Sequence, residues 1–330
     1  MSDSKRGRFG VLLVNLGTPD APTTSAVRRY LRAFLSDPRV IDTPKLIWWF
    51  ILNGIILLVR PAKVAKLYRS IWTSEGSPLL KESRAQAAGL QQTLDERGLD
   101  CRVELAMTYG EPSVSGAIER LRSAGCERVL VIPLYPQYSA TTTAAVIDAV
   151  YASQKQQRDL PEFRFVKSYG DHPTYIAALA NSVKSHWQQN GQGQKLVMSF
   201  HGIPKRYADC GDPYPKECHK TAHCLAEALE LEDEQWLYTY QSRFGPAEWL
   251  QPYTDKTLEA LPGERIKAVD IISPAFTADC LETLEELKIQ NQELFLSSGG
   301  ERYEYIPALN ADALFIQCLA ELTEQHSQGW

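Results

Sequence analysis

Short apolar runs alternate with longer amphipathic runs along this 330-residue chain. The short runs are rich in β-branched and aromatic residues and predict strands, whereas apolar residues in the longer runs have helical spacing. This alternation is typical of βαβ units that build a parallel sheet. The predicted strands span residues 9–16, 102–107, 129–134, 163–167, 195–200, 236–240, 268–272 and 303–306. The predicted helices include residues 25–35, 82–97, 174–189, 218–229, 280–296 and 311–325.

The predicted elements fall into two similar halves. A polar stretch, 154–158, followed by Pro161 is the best place for a boundary. We therefore predict an α/β fold of two Rossmann-like lobes, 1–158 and 159–330, each a parallel sheet flanked by helices, with the last helix able to pack back on the first lobe. Ligands are expected beyond the carboxyl ends of the strands.

Charge and cysteine content exclude several classes of protein. Thirty-five Lys and Arg against 40 Asp and Glu give a net charge of −5, so no basic field attracts nucleic acid. The apolar run after Lys5 and Arg6 is too short for a signal peptide, which predicts a cytoplasmic location. Seven cysteines are odd in number and sparse, which favours free thiols or metal ligands over disulfides.

One segment, 44–72, does not fit a βαβ unit, and we call it the lip. Its apolar run 46–59 has 14 residues, fewer than the roughly 20 that span a bilayer, so we expect no membrane crossing. Four basic residues follow, namely Arg60, Lys63, Lys66 and Arg69. Two interpretations stay open: a buried helix pair, or a surface that holds an apolar ligand or contacts a membrane face.

His201 is the best-placed histidine of the six. It follows predicted strand 195–200, and Gly202 permits close approach of a ligand. Neutral imidazole is available near pH 7 as a base or a ligand. A hydrogen-bonded structural histidine is the alternative.

Acidic residues follow the strand 268–272. Helical spacing predicts that Asp279, Glu282 and Glu286 share one face. Such a face is often simply solvated, and the helix dipole also favours acids in a first turn. Near an imidazole, however, these carboxylates can bind a divalent cation transiently or transfer protons.

Three cysteines, Cys210, Cys218 and Cys224, have the spacing C-x7-C-x5-C. They are interpreted as ligands of an iron–sulfur cluster, as zinc ligands with His219 or His223, or as unrelated thiols. A cluster needs a fourth ligand, for which Cys126 is the first choice and Cys101 the second. Dinucleotide, P-loop, esterase-elbow and H-E-x-x-H motifs do not occur in the sequence.

An ordered set of short motifs resembles the ferrochelatase family, whose members insert ferrous iron into a porphyrin, and most closely its bacterial protoporphyrin type. The motifs extend from about residue 10 to residue 309. They are LVNLGTP (13–19), EGSPL (75–79), MTYG (107–110), PLYPQYS (133–139), SFHGIP (199–204), QSRFG (241–245) and FTADCLETL (276–284).

The resemblance implies two Rossmann-like lobes around a porphyrin cleft and assigns roles to residues. His201 and Glu282 correspond to the family's reactive histidine and glutamate, with Glu286 as a further acid, and Fe²⁺ is handled at His201 and Glu282. We expect the imidazole and the acids to come from opposite lobes. Predicted ring contacts are Leu16, Tyr109, Tyr135 and Tyr138.

The chain departs from the family pattern at two acidic-segment positions. Cys280 replaces a histidine common in relatives, so a proton-relay role there is in doubt, and Gln290 interrupts a ladder of carboxylates found in some members. Bacterial relatives with an internal C-x7-C-x5-C motif imply a [2Fe–2S] cluster at Cys210, Cys218 and Cys224. Ala140 occupies the position at which animal relatives place a fourth cysteine.

The resemblance thus implies a ferrochelatase that converts protoporphyrin IX and Fe²⁺ into protohaem, as a monomer or homodimer. Peripheral membrane contact through the lip is one of its two open interpretations. Two alternatives stay open. One is a chelatase for coproporphyrin or a cobalt corrinoid precursor, and the other is a non-catalytic tetrapyrrole or iron–sulfur binding protein.

Overall fold

Two parallel sheets organise the protein. The structure is a computed structural model that describes residues 8–330, so Lys5 and Arg6 lie outside the described residues. The strands are β1 (Phe9–Asn15), β2 (Cys101–Met107), β3 (Arg128–Pro133), β4 (Glu162–Phe165), β5 (Lys195–His201), β6 (Trp236–Gln241), β7 (Ala268–Ile272) and β8 (Arg302–Tyr305). Their orders are β2-β1-β3-β4 and β6-β5-β7-β8, and every pairing is parallel.

The helices occupy the connections between these strands. They are α1 (Thr24–Leu35), α2 (Lys45–Ile51), α3 (Leu57–Ile71), α4 (Pro78–Glu96), α5 (Val114–Ser123), α6 (Ala145–Gln154), α7 (Pro173–Asn190), α8 (Lys205–Asp209), α9 (Tyr214–Ala228), α10 (Thr254–Ala260), α11 (Asn291–Ser297) and α12 (Ala313–His326). Three π-helical segments, Leu52–Ile56, Ala140–Ala144 and Glu282–Gln290, precede α3, α6 and α11. Short 3₁₀ turns occur at Asp233–Gln235 and Leu261–Glu264.

The chain divides into two compact units. Unit 1 contains the chain up to Tyr135, Ala140–Lys167 and Ile316–Trp330, and unit 2 contains Pro136–Ser139 and Ser168–Phe315. The predicted α/β fold of two parallel sheets is confirmed. All eight strands lie within a residue or two of their predicted positions.

The core of unit 1 lies around β1, in which every residue is buried. Val14 and Val131 of the sheet pack with Ile118 of α5 and Val146 of α6. Such full burial explains why β1 is continuously apolar, because strands of parallel sheets are covered on both faces. Within this unit Trp330 packs against Phe9, with ring centroids 5.7 Å apart.

The core of unit 2 has the same construction. Val197 of β5 and Ile271 of β7 pack with Leu287 of the π-helical segment and Phe295 of α11. Leu287 and Phe295 are fully buried. The helical segment that carries the acidic residues is therefore held to the sheet by its apolar side chains.

The lip is one continuous helical stretch, Lys45–Ile71, formed by α2, a π-helical segment and α3. Leu52 and Leu57 are buried, at 3% and 2% exposed, but most of the apolar side chains of the lip are not, so the interpretation as a buried pair of helices is wrong. The outer face is apolar and exposed at Leu46, Ile47, Trp49, Phe50, Ile55, Leu58 and Val59. Among the described residues this is the one helix long and apolar enough to span a membrane, and 17% of its apolar window is buried.

Two polar contacts hold the lip to α1 within unit 1. Pro61 has no N–H, so it cannot donate to the carbonyl of Leu57 one turn earlier. Arg28 of α1 donates to that carbonyl instead, at 2.9 Å. The indole N–H of Trp48 donates to the carbonyl of Leu35 at 2.6 Å. Proline inside the helix is tolerated because the carbonyl it leaves unpaired gains another donor.

Candidate active site

The carboxyl end of the unit 2 sheet brings the predicted reactive residues together. His201 is the last residue of β5, and the helical segment with Glu282 and Glu286 follows β7. In the order β6-β5-β7-β8, the chain connections diverge between β5 and β7. Ligands of open parallel sheets bind at such a switch point.

His201 has its ring orientation set by its own loop. Its Nδ1 lies 2.7 Å from the carbonyl oxygen of Gly202, which can only accept a hydrogen bond. We therefore assign the proton to Nδ1, so that neutral His201 presents the Nε2 lone pair. A Cβ at position 202 would lie 2.9 Å from the carbonyl oxygen of Gln241, so glycine is required where this loop meets β6.

Glu286 is bound by groups at the end of β6. The backbone N–H of Ser242 donates to Oε1 at 2.8 Å, and the Ser242 hydroxyl donates a short hydrogen bond to Oε2. The Gln241 amide donates to Oε2 at 3.3 Å and to the carbonyl of Glu282 at 3.0 Å. Ser242 adopts a left-handed conformation, with φ of 64°, that aims both of its donors at one carboxylate.

Opposing effects act on the Glu286 carboxyl. Burial raises its pKa above the ordinary value, and the charge of Glu282 raises it further, whereas the Ser242 hydrogen bonds and a charged His201 lower it. The pKa of Glu286 is raised overall, because the free-energy cost of removing the carboxylate from water exceeds the stabilisation that these partners give it. The site therefore holds a carboxyl with an increased tendency to take up a proton.

Glu282 is half-buried one helical turn before Glu286. Burial, followed by the charge and hydrogen bonding of Glu282, raises the pKa of the Cys280 thiol well above its usual range. Cys280 is thus a neutral, buried partner of Glu282. His201, Glu282 and Glu286 all belong to unit 2, so the expectation that imidazole and acids come from opposite lobes is wrong.

Asp279 has a different role from the one the spacing predicts. It precedes the helical segment, so it does not share the face of Glu282 and Glu286. Its carboxylate accepts hydrogen bonds from Tyr305 at 2.6 Å, Asn310 at 2.8 Å and Thr283 at 3.0 Å. Asp279 therefore anchors the start of the helical segment to β8 and the loop after it.

Sequence reasoning missed Ser242 and Gln241 as site residues. Both belong to a motif that was recognised, and its position directly after a strand was the available signal. Their role depends on the left-handed backbone of Ser242 and on the pairing of His201 with Gln241 across β5 and β6.

Three of the predicted ring contacts lie at strand ends of unit 1. Leu16 and Tyr135 are half-buried after β1 and β3. Tyr109, after β2, is 6% exposed, and its hydroxyl donates to Asp37 at 2.7 Å. Burial, with this bond to Asp37, raises the pKa of Tyr109 far above its usual range, so this phenol stays neutral.

The fourth predicted contact, Tyr138, belongs to unit 2. It is half-buried, and its backbone N–H donates to Glu217 at 2.9 Å. Its backbone is therefore fixed to α9 within the same unit.

The predicted cluster ligands do not converge. Cys210 is exposed at the end of α8, whereas Cys218 is fully buried in α9. Cys218 and Cys224 are six residues apart, which separates them by about 9 Å along the helix. Cys126 lies in the core of unit 1.

Burial raises the pKa of the Cys218 and Cys224 thiols, which disfavours the thiolates that a cluster needs. Within residues 8–330 no group of three or more His, Cys, Asp or Glu side chains is placed to hold a metal ion. The thiols in this arrangement do not fit an iron–sulfur cluster.

Replacement of Ser242 by alanine should raise the pKa of Glu286 further, because the ionised carboxylate loses a hydrogen-bond donor. A carboxyl whose pKa is raised in the folded protein contributes to the free energy of unfolding at low pH. This contribution is lost as the pH rises through the folded pKa. In Ser242→Ala this loss extends to higher pH. Titration of the Glu286 carboxyl carbon by NMR measures the shift.

The control for this experiment is Ser297→Ala in α11, whose hydroxyl bonds within its own helix. It should leave the Glu286 titration unchanged. An unchanged or lowered Glu286 pKa in Ser242→Ala contradicts the assigned contact.

Solved structures of chelatases share this fold. SirB from Bacillus subtilis with Fe³⁺ matches with a TM-score of 0.56 and 11% identity, covering 97% of this chain and 96% of that chain. CbiX, described as the terminal enzyme for siroheme biosynthesis in denitrifying bacteria, matches with a TM-score of 0.52 and 13% identity, covering 96% and 98%. At such low identity the likeness concerns the fold alone.

Sequence comparison carries the family assignment. The family described as ferrochelatase matches residues 8–327. The ferrochelatase of Janthinobacterium sp. (strain Marseille) is 55% identical over 98% of this chain and 88% of its own length. That of Actinobacillus pleuropneumoniae serotype 3 (strain JL03) is 56% identical over 96% of this chain and 98% of its own. With the site residues in place at the strand ends of unit 2, this chain belongs to the ferrochelatase family.

Proposed function

We propose that this chain is a metal chelatase that inserts Fe²⁺ into protoporphyrin IX, forming protohaem and releasing two protons in the terminal step of haem biosynthesis. The observation that carries the proposal is the convergence of His201, Glu282 and Glu286 at one sheet edge in a chain of the ferrochelatase family.

The reaction makes two demands on the protein. A planar porphyrin carries two N–H groups and two lone pairs in its plane, so the ring must bend and two protons must leave before the metal is bound. Groups that accept protons near the pyrrole nitrogens therefore lower the barrier, and so do contacts that favour the bent ring.

His201 is the first proton acceptor in this proposal. Its Nδ1 proton is held by the carbonyl of Gly202, so the Nε2 lone pair is directed away from its own loop. Neutral imidazole takes a pyrrole proton or contacts the incoming Fe²⁺. The positive charge of a protonated His201 lowers the pKa of the Glu286 carboxyl.

Glu286 and Glu282 complete the path for protons and metal. The raised pKa of Glu286 makes it an acceptor for a proton leaving His201. Glu282, a half-buried carboxylate one turn away, is assigned to contact Fe²⁺ together with His201. Carboxylate and imidazole hold Fe²⁺ less tightly than thiolates hold soft metals, which permits release to the ring.

Three of the four predicted ring contacts keep that role in the proposal, and the fourth, Tyr109, has a supporting one. Leu16, Tyr135 and Tyr138 are half-buried at loop positions after strands, where a side chain can contact a ligand. Tyr109 is buried against Phe34, with ring centroids 5.2 Å apart, so we assign it to supporting the loop of Leu16. Its backbone N–H donates to the carbonyl of Leu16 at 2.9 Å.

The decisive experiment is anaerobic incubation of the protein with Fe²⁺ and protoporphyrin IX, followed by the absorption spectrum of haem. His201→Ala should lower the rate by about 10²–10⁴-fold, the usual contribution of an acid–base group. Circular dichroism should show an unchanged fold, because His201 is half-buried at a strand end.

The matched control is His172→Ala, which removes a histidine at the start of α7 in the same unit. It should retain the wild-type rate. Full activity in His201→Ala contradicts the assignment of His201, whereas no haem formation by the wild-type protein favours a non-catalytic tetrapyrrole-binding protein. Faster insertion into coproporphyrin than into protoporphyrin would replace the substrate in the proposal.

The lip supports a proposal of peripheral contact with an anionic membrane surface. Its exposed apolar face includes Trp49 and Phe50, which are 57% and 62% exposed, and Lys63 and Lys66 are exposed on α3. Apolar side chains insert into the interface while basic ones attract anionic headgroups. The opposite face is docked on α1, which favours a helix lying on the membrane rather than crossing it.

Sedimentation with phosphatidylserine-containing vesicles tests this contact. Trp49→Ser with Phe50→Ser should abolish binding, and Lys63→Glu with Lys66→Glu should weaken it in a salt-dependent manner. The control is Leu160→Ser, an equally apolar side chain of unit 1 that is 54% exposed outside the lip. Equal binding by all four proteins contradicts the proposal.

The [2Fe–2S] cluster stays a prediction, based on the C-x7-C-x5-C motif alone. With the thiols arranged as described, cluster binding requires the segment from Cys210 to Cys224 to rearrange. Anaerobically purified protein should then be red and contain about two iron and two sulfide per chain, reduced in Cys218→Ser. Colourless protein without sulfide refutes the cluster.

We propose that the protein resides in the cytoplasm, with the lip at the inner face of a membrane. Cell fractionation tests this placement: the protein should divide between the soluble and membrane fractions, and high salt should shift it toward the soluble fraction.

A further inference from the structure

Two histidines of α9 form a pair outside the proposed active site. His219 and His223 are four residues apart, so they lie on the same face of the helix, and both are exposed. Their Nε2 atoms are 3.0 Å apart. We propose that this pair is a chelating site for a divalent transition metal that prefers ligands at right angles, with Cu²⁺ the ion of highest affinity.

The free pair is itself hydrogen-bonded. At this distance one Nε2 carries a proton and donates it to the lone pair of the other. A metal needs both Nε2 lone pairs, so the donor ring must carry its proton on Nδ1 when the metal is bound. This change of tautomer moves one proton from Nε2 to Nδ1 of the donor ring, which stays neutral. The metal then occupies the position of that proton between the two Nε2 atoms.

The separation of the two nitrogens in the free pair is closer to the donor spacing of a right-angled site than to that of a tetrahedral one. Two donors 3.0 Å apart, each about 2.05 Å from an ion, subtend an angle of about 94° at the metal. A tetrahedral ion such as Zn²⁺ needs donors about 3.3 Å apart. Square-planar and octahedral ions use neighbouring positions at right angles, and Cu²⁺ heads the affinity order for nitrogen ligands.

Aromatic side chains of β6 limit the motion of both imidazoles. The ring of Tyr238 meets His219 edge-on with centroids 5.7 Å apart, and the ring of Trp236 meets His223 at 5.0 Å. Both interplanar angles are 84°. Because the rings are already oriented, binding loses less side-chain freedom than it does for two unrestrained histidines.

The site provides two protein ligands, and water completes the coordination sphere. Within the described chain no third His, Cys, Asp or Glu joins the pair in a metal-binding group. The pair is therefore an open site on the surface. Its proposed metal is independent of the Fe²⁺ substrate and of the proposed chelatase activity.

Electron paramagnetic resonance of the full-length protein with one equivalent of Cu²⁺ under argon tests the site. We expect splitting from two nitrogens, and His219→Asn or His223→Asn should each lose this pattern and weaken binding by about 100-fold, because the chelate becomes a single ligand. Calorimetry with Ni²⁺ repeats the affinity comparison with an ion that does not oxidise thiols.

Two controls separate the pair from its neighbours. Cys224→Ser, next to His223, should retain the two-nitrogen spectrum, and so should Lys216→Ala on the exposed surface of α9. Quenching of Trp236 fluorescence by Cu²⁺ should disappear in His223→Asn and in Trp236→Phe. A spectrum that persists in both histidine variants, a sulfur-ligated spectrum lost in Cys224→Ser, or tighter binding of Zn²⁺ than of Cu²⁺ overturns the proposal.

Discussion

The carboxylate of Glu286 is the group on which the site depends. It is packed beside the sheet of unit 2, and Ser242 and Gln241 supply hydrogen-bond donors from the adjoining strand end. Burial raises its pKa, and these donors hold the side chain in one position. Because a buried carboxyl is costly to ionise, the protein gives up some stability at neutral pH to keep a proton acceptor beside His201.

The helical segment after β7 is π-helical and is buried on one face. Leu287 packs in the core, while Glu282 and Glu286 remain half-buried toward the strand ends. Asp279 links the start of the segment to Tyr305 and Asn310. Wider helical turns are frequent at functional sites, and here they carry the two acids of the proposed reaction.

The lip shows how a locally unfavourable residue is accommodated. Pro61 leaves the carbonyl of Leu57 without its helical donor, and Arg28 supplies a replacement from α1. The apolar outer face is consequently presented on a helix that is held to unit 1. Sequence composition could identify this segment as unusual, but it could not indicate which face would be exposed.

The strands, the parallel topology class and the position of His201 at a strand end follow from the sequence by itself. Their cause is local: continuous apolar runs require burial on both faces, and Gly202 and Pro204 end β5. Most of the site residues were also found from motifs. The exceptions, Ser242 and Gln241, act through a left-handed backbone and a strand pairing that spacing does not reveal.

Tertiary structure alone decided which predicted ligands meet. Cysteine spacing suggested one metal group, yet Cys218 points into the core while Cys224 does not share its face, because the two are six residues apart on one helix. Cys210 lies outside that helix and is exposed. His219 and His223 are four apart and do share one, and the rings of β6 orient them. Residue types and spacing determined which side chains could react or bind a metal. Burial and the pairing of distant strands determined which of these side chains lie close enough together to do so.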